Sequence, residues 1–287
     1  MRATFLHLRF PFVYVLSPIF VWGAAWGPGG WTARTTLGFL FVHLALYPGA
    51  NAFNSAYDRD TGPIGGLARP PSVPSGLARW SAWLQATGAA LSPVIGPGFA
   101  AGYLILWGIF TAYSHPRTRW KRSPLVSTAA IVAGQGGIGF WLGWSASGGG
   151  GKALRSANLE WTGQDAWALA AACAVVAALY PLTQVYQLDA DRARRDRTLA
   201  AVLGPRGTLA WSAGGFAAAA AALAAAGSTG LAAYAGASAI VAGAVAAAWP
   251  AGRTPSHRTV MAAAYLTSTV FLVSLVWWGA TSALSGP

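Results

Sequence analysis

Charge is what this sequence has least of. Only 9% of its 287 residues are Asp, Glu, Lys or Arg, where a soluble domain carries about 25%. There is one cysteine, Cys173, so neither a disulfide framework nor a cysteine metal site can be built. It sits in an Ala/Val run and reads as a small packing residue. No Walker loop, no G-x-G-x-x-G following a strand and no Ser-His-Asp set is present. The four histidines, His7, His43, His115 and His257, show no metal-ligand spacing. The first apolar stretch, FPFVYVLSPIFVWGAAWG, lacks an A-x-A-like cleavage site, and no cleavable signal peptide is expected.

What is plentiful is apolar: 55% hydrophobic residues, 15 Trp and 36 Gly, with a mean hydropathy of +0.46. Too little polar surface exists to cover a soluble globule, so the expected solvent is lipid. Stretches long enough to span fall at about 10–27, 36–57, 80–96, 98–114, 124–146, 161–187, 208–227, 230–250 and 259–282. The expected fold is an all-α integral membrane protein of nine transmembrane helices in a single domain, 1–287. Only SPVIGPG separates the third stretch from the fourth.

The net charge of +12 could suggest nucleic acid, but its distribution points elsewhere. With the N-terminus cytoplasmic and nine spans, the outside holds only Arg34, Lys152 and Arg155 of the 19 Lys and Arg residues, leaving 19 − 3 = 16 inside. That is a positive-inside pattern. It accounts for the charge without a nucleic-acid partner, and it places the expected protein in an inner, cytoplasmic-type bacterial membrane among its lipids.

The seven acids sharpen this. Glu160 and Asp165 precede the sixth span. The other five, Asp58, Asp60, Asp189, Asp191 and Asp196, cluster at the cytoplasmic ends of the second and sixth. Around them one polar pattern is written twice. YPGANAFNSAYDRD (47–60) and YPLTQVYQLDADR (180–192) align as Tyr-Pro, an amide (Asn51, Gln184), a second amide (Asn54, Gln187) and Asp-Arg (Asp58-Arg59, Asp191-Arg192). Both spans run the same way, so the repeat is parallel, and sites between repeats are common in membrane proteins. On a helix the 0, 3, 7 spacing makes each set one stripe, expected to face inward because polar side chains are costly against lipid.

Carboxylates and amide carbonyls are hard oxygen ligands of the kind Mg2+ takes, often bridging to substrate phosphates. The cations nearby, Arg69, Lys121, Arg122, Arg192, Arg195 and Arg197, have the chemistry to clamp phosphate oxygens. The inferred ligand is a diphosphate held at the cytoplasmic face, its remainder reaching into an apolar cavity. Simple charge balance at the membrane surface is the competing reading, but it does not require spaced amides within a helix end. Gln135, in VAGQGGIGFWLGW, is an amide among glycines and reads either as helix packing or as a polar contact on a cavity wall. The aromatic residues by position, Phe53, Tyr57, Tyr113, Trp141, Trp144 and Tyr186, read singly as ordinary packing or an interface belt.

These residues resemble the UbiA superfamily of intramembrane prenyltransferases. NSAYDRDTG (54–62) is similar to that family's N-x-x-x-D-x-x-x-D motif at Asn54 and Asp58, with Gly62 at the third position and Asp60 the available substitute. QLDADRARRDRTL (187–199) is similar to its D-x-x-x-D motif at Asp191, with Gln187 in the earlier position and Asp189 beside it. ARPPSVPSG (68–76), YSHPRTRWKRSPL (113–125) and RTLAAVLG resemble its loops. The resemblance implies nine helices around a central cavity and Mg2+-dependent transfer of a prenyl group from a polyprenyl diphosphate to an unspecified lipophilic acceptor. It implies metal ligands at Asn54, Asp58, Asp60, Gln187, Asp189 and Asp191, with Asp58, Asp191 and Lys121 central to catalysis. Diphosphate contacts would come from Arg69, Lys121, Arg122, Arg192 and Arg197, and cavity walls from Asn51, Tyr57, Tyr113, Gln135 and Gln184. A terpene cyclase on the same scaffold is the alternative. A transporter with parallel repeats is a third reading, though such proteins more usually hold their ionisable groups near mid-bilayer. The D-G-x-x-A-R pattern of CDP-alcohol phosphotransferases is absent.

Overall fold

A computed structural model describes residues 1–149, 162–194 and 196–284. Lys152, Arg155, Glu160 and Arg195 lie outside the described residues. Among those described the chain is helical, with no strand beyond an isolated bridge between Ile64 and Leu67.

A short helix, Arg2–His7, leads into α1 (Phe10–Trp26) through Arg9, which adopts a left-handed φ of 53°. Pro11 in the first turn of α1 suits a helix start, where a missing N–H costs nothing. α2 (Ala33–Asp58) is opened by a capping box between Thr32 and Thr35 and passes through a π-helical stretch, Phe41–Leu46. It ends where Arg59 turns left-handed. α3 (Leu77–Leu91) and α4 (Pro97–Ser114) are separate helices, divided within SPVIGPG by a 3-10 turn at Ser92–Val94 and by Gly96 at φ 143°. α5 (Pro124–Gly148) carries a second π-helical stretch, Val132–Ile138. α6 (Gly163–Leu179) is capped by Thr162 and Asp165 and gives way to two 3-10 turns, Tyr180–Thr183 and Val185–Gln187, before a short helix, Leu188–Arg194. α7 (Leu199–Ala225), α8 (Thr229–Ala248) and α9 (His257–Leu284) follow.

Among the described residues, seven helices are long and apolar enough to cross a membrane, against the nine spans expected from the sequence. α3, with 15 residues, and α4, with 18, fall short of that measure. Large apolar side chains such as Leu104, Ile105, Ile240, Val241, Leu266 and Val273 point outward, as a lipid-facing surface requires.

Small residues let the helices meet closely. Gly23 of α1 lies against the Phe140 carbonyl of α5, and Gly143 of α5 lies against the Phe20 carbonyl of α1. A Cβ at either position would collide with backbone, so the pair locks α1 onto α5 in the way small residues commonly do inside membranes. Trp22, fully buried, meets Phe140 and Phe271 edge-on at 5.7 and 5.5 Å, tying α9 to the same seam. These contacts leave an interior space between α1, α2, α4, α5 and α6.

Candidate active site

The cavity holds about 220 Å³ and is charged at one end only. Its ionisable lining residues all come from element ends: Arg9 before α1, Asp58 and Asp60 at the close of α2, Lys121 before α5, and Asp191 and Asp196 after α6. Deeper in, Leu16, Ile19, Phe110, Ile131 and Val176 make the wall apolar.

The first polar stripe is a regular helical one. Asn51, Asn54 and Asp58 of α2 all line the cavity. Arg9 crosses from α1 to meet them, its Nη2 donating to the Asn51 carbonyl at 2.7 Å and to Asn54 Oδ1 at 3.2 Å. The Asn54 amide donates onward to Ser114 Oγ at 3.2 Å. Asp58 is 8% exposed and forms an ion pair with the buried ammonium of Lys121. Arg119 reaches the same carboxylate at 3.6 Å. Burial pushes the Lys121 ammonium below the usual lysine range, and the Asp58 charge partly opposes that.

The second stripe is built differently. Pro181 falls in a 3-10 turn and Tyr180–Gln187 never forms an α-helix, yet Gln184, Gln187 and Asp191 all line the cavity. Gln184 Oε1 turns to accept from the Ala200 N–H at 3.3 Å. Gln187 lines the cavity but donates its amide to the Pro63 carbonyl at 2.9 Å. Asp191 is buried, lines the cavity and accepts from Thr198 Oγ1 at 3.0 Å. Tyr113 and Gln135 stand on the wall as expected.

Several expected residues stand elsewhere. The Asp189 side chain is 98% exposed and pairs with Arg192 on the surface, because on the short helix it lies two positions from Asp191 and faces away. Arg69, Arg192 and Arg197 are exposed, and none lines the cavity. Arg122 is largely exposed and reaches Asp196 at 3.6 Å. Tyr57 packs between the rings of Phe53 and His115 rather than on the wall.

Three charged groups escaped the sequence reading of the site. Arg9 reads from sequence as a membrane anchor. Pro11 was the available signal, since it marks a helix start and makes Arg9 the cap that turns inward. Asp196, five residues past Asp191, accepts an Arg119 ion pair at 3.2 Å. Arg119 thus bridges Asp58 and Asp196, and the loop between α4 and α5 spans the mouth of the cavity.

The donor chemistry fits Mg2+. The cavity offers carboxylate, amide and hydroxyl oxygens, and no sulfur or imidazole. Among the described residues no three His, Cys, Asp or Glu side chains gather into a self-sufficient metal group. Mg2+ does not need one, because it binds through one or two carboxylates and completes its shell with waters and phosphates.

Together these features define a membrane protein that is helical throughout its described residues, with a charged-mouthed, apolar-walled cavity. The profile of the UbiA prenyltransferase family matches residues 15–275, and the chain belongs to that family. Among solved structures, a UbiA homolog from Archaeoglobus fulgidus bound to GPP and Mg2+ superposes with a TM-score of 0.73 at 17% identity, covering 95% of this chain and 98% of that one. The same homolog bound to DMAPP and Mg2+ gives a TM-score of 0.74 at 17% identity, with coverage of 95% and 98%. A digeranylgeranylglyceryl phosphate synthase structure gives a TM-score of 0.60 at 16% identity, covering 97% and 99%. At such identities the likeness is one of fold. A comparison of the sequence with curated proteins returned no match.

Proposed function

We propose that this protein transfers a prenyl group from a polyprenyl diphosphate to a lipophilic acceptor within the membrane, with Mg2+ as cofactor. The observation that carries the reading is the shared mouth. Asp58 and Asp60 from one motif and Asp191 from the other line a single cavity with Arg9 and Lys121. The fold is shared with homologs whose structures hold GPP or DMAPP with Mg2+. In this reading nine helices span the membrane with the N-terminus cytoplasmic, the two polar motifs form a parallel repeat, and the mouth opens to the cytoplasm.

Asp58, Asp60 and Asp191, with Asn54 and Asp196 beside them, would hold the metal, which when bound supplies positive charge against the leaving diphosphate oxygens. Lys121 and Arg9 add fixed cations aimed at the same oxygens. Asp58, now paired with Lys121 and Arg119, would be free to hold the metal where a diphosphate took over those cations. The allylic C–O bond breaks, its electron pair leaving with the diphosphate, and the acceptor's nucleophilic atom closes the new bond and sheds its proton. The apolar wall keeps water from competing for the allylic cation. Aromatic faces on the wall, Tyr113, Tyr180 and Tyr186, can stabilise positive charge.

The test is equilibrium binding of labelled GPP to the purified protein. Binding is expected with Mg2+ and lost on chelation with EDTA. Binding that is indifferent to EDTA, or no binding at all, would overturn the proposal.

A narrower prediction separates the two acids of the second motif. Because Asp189 points to solvent and Asp191 into the cavity, Asp189→Ala should leave prenyl-diphosphate affinity within about threefold, as most exposed substitutions do. A loss of a hundredfold would mean that Asp189 swings inward on binding.

A further inference from the structure

The turn that follows the first acidic motif is held from three sides. The chain leaves α2 through Arg59, at a left-handed φ of 51°, and Asp60, Ile64 and Gly65 of the segment 60–67 then line the cavity. Ile64 and Leu67 close this strap on itself with reciprocal backbone hydrogen bonds of 2.9 Å. Its turn lies on α1. A Cβ at Gly65 would come within 2.9 Å of the Phe12 ring, and one at Gly66, whose φ is +81°, within 3.0 Å of Phe12 Cβ. Two neighbouring carbonyls of the strap are taken by side chains from far along the chain. Gln187 donates to Pro63 at 2.9 Å, and His257, the first residue of α9, brings Nε2 within 2.9 Å of the Ile64 oxygen. A carbonyl only accepts, so Nε2 carries the proton and donates it.

His257 is set in place by its surroundings. Ser256 caps α9, its Oγ accepting from the Thr259 N–H at 3.1 Å. The imidazole stands edge-on to Tyr186 at 4.9 Å, and Tyr186 lines the cavity. One side chain thereby joins α9, the wall after α6 and the strap. Asp60 precedes the pinned Ile64 by 64 − 60 = 4 residues. The link passes through Gly62, around which space is open, so the link itself does not fix its own path. Asp60 takes its position from both ends, α2 behind it and the pinned carbonyls ahead.

We infer that His257 is a positioning residue of the active site: by holding the Ile64 carbonyl it fixes the strap that carries Asp60 into the cavity, and it acts on metal binding through Asp60. The inference rests on the prenyl-transfer reading, in which Asp60 helps to hold the metal, and deepens it. His257 is not among the residues that line the cavity, so it serves neither as a ligand nor as a substrate contact. It lies outside both polar motifs, 257 − 191 = 66 residues beyond Asp191.

The test reads Mn2+ affinity in the presence of GPP by electron paramagnetic resonance on the purified full chain, with folding checked by thermal unfolding. His257→Phe keeps a ring against Tyr186 and removes the donor, whereas His257→Gln keeps an N–H donor. His257→Phe should weaken Mn2+ binding about tenfold, the lower end of what outer-shell partners contribute, and His257→Gln should stay within about threefold of the wild type. Asp60→Asn should weaken it as well. The double variant His257→Phe/Asp60→Asn should bind no more weakly than Asp60→Asn alone, because residues acting through one another are not additive. Should His257→Phe fail to fold, Gly66→Ala, which unseats the strap from the α1 side, takes its place in the same comparison with Asp60→Asn. Mn2+ affinity unchanged by the variant, losses that multiply in full in the double variant, or no rescue by glutamine would each overturn the inference while leaving Mn2+ binding by the wild type standing. Failure of the wild type to bind Mn2+ with GPP overturns the prenyl-transfer reading, and this inference with it.

Discussion

Asp191→Asn should abolish turnover, lowering the Mg2+-dependent release of diphosphate from GPP by about 10³-fold or more, in a protein that still folds. The size follows from removing a charge that acts on developing charge in a site screened from water, about 4 kcal/mol of barrier. The preserved fold follows from the environment of Asp191. It accepts a hydrogen bond from Thr198, which the remaining carbonyl oxygen of an asparagine can still accept. Diphosphate release is best followed in membranes that supply the acceptor, with folding checked by thermal unfolding of the purified variant. Full activity would remove the second motif from the chemistry. Loss of both activity and fold would show Asp191 to be structural.

Lys121→Met should do two things at once. It should weaken prenyl-diphosphate binding at least tenfold, and it should destabilise the protein by about 3–5 kcal/mol, because it leaves the buried Asp58 charge short of its nearest partner. The double variant Lys121→Met/Asp58→Asn removes both halves of the pair and should regain most of the lost stability. It should not regain binding. Denaturation in detergent and GPP titration on the same two proteins separate the effects. If the double variant restored binding as well as stability, Lys121 would serve only to neutralise Asp58, with no role toward the diphosphate.

The membrane setting and the first half of the site were legible in the sequence for a simple physical reason: both rest on ordinary helix geometry. A low charge count forces burial in lipid, and Asn51, Asn54 and Asp58 share a face because α2 is helical through them. The second half was harder to read. Its amides carry the same spacing, but Tyr180–Gln187 tightens into 3-10 turns, so Gln184 and Gln187 are spent on the backbone of Ala200 and Pro63. Asp189 turns to solvent, while Asp196, beyond the repeat, turns in. Periodicity assumes one helix type, and here the type changes mid-motif.

The basic residues divided in the same way. Proximity in sequence to an acidic motif singled out Arg69, Arg192 and Arg197, all of which are exposed. Lys121, also singled out in the sequence, does line the cavity, but the other cations at its mouth arrive from distant elements. Arg9 comes from the turn before α1 and Arg119 from the loop after α4, both at left-handed φ values of 53° and 40°. Long-range placement of this kind depends on how helices pack. No local pattern encodes it.

The central claim is that the two motifs form one metal–diphosphate site. Mn2+ replacing Mg2+ allows this to be measured directly by electron paramagnetic resonance, titrating the protein with Mn2+ in the presence and absence of GPP. The expected result is Mn2+ binding that strengthens when GPP is added and is lost in Asp58→Asn and in Asp191→Asn alike. Mn2+ binding that ignores GPP, or that survives loss of either carboxylate, would contradict a site shared between the two motifs.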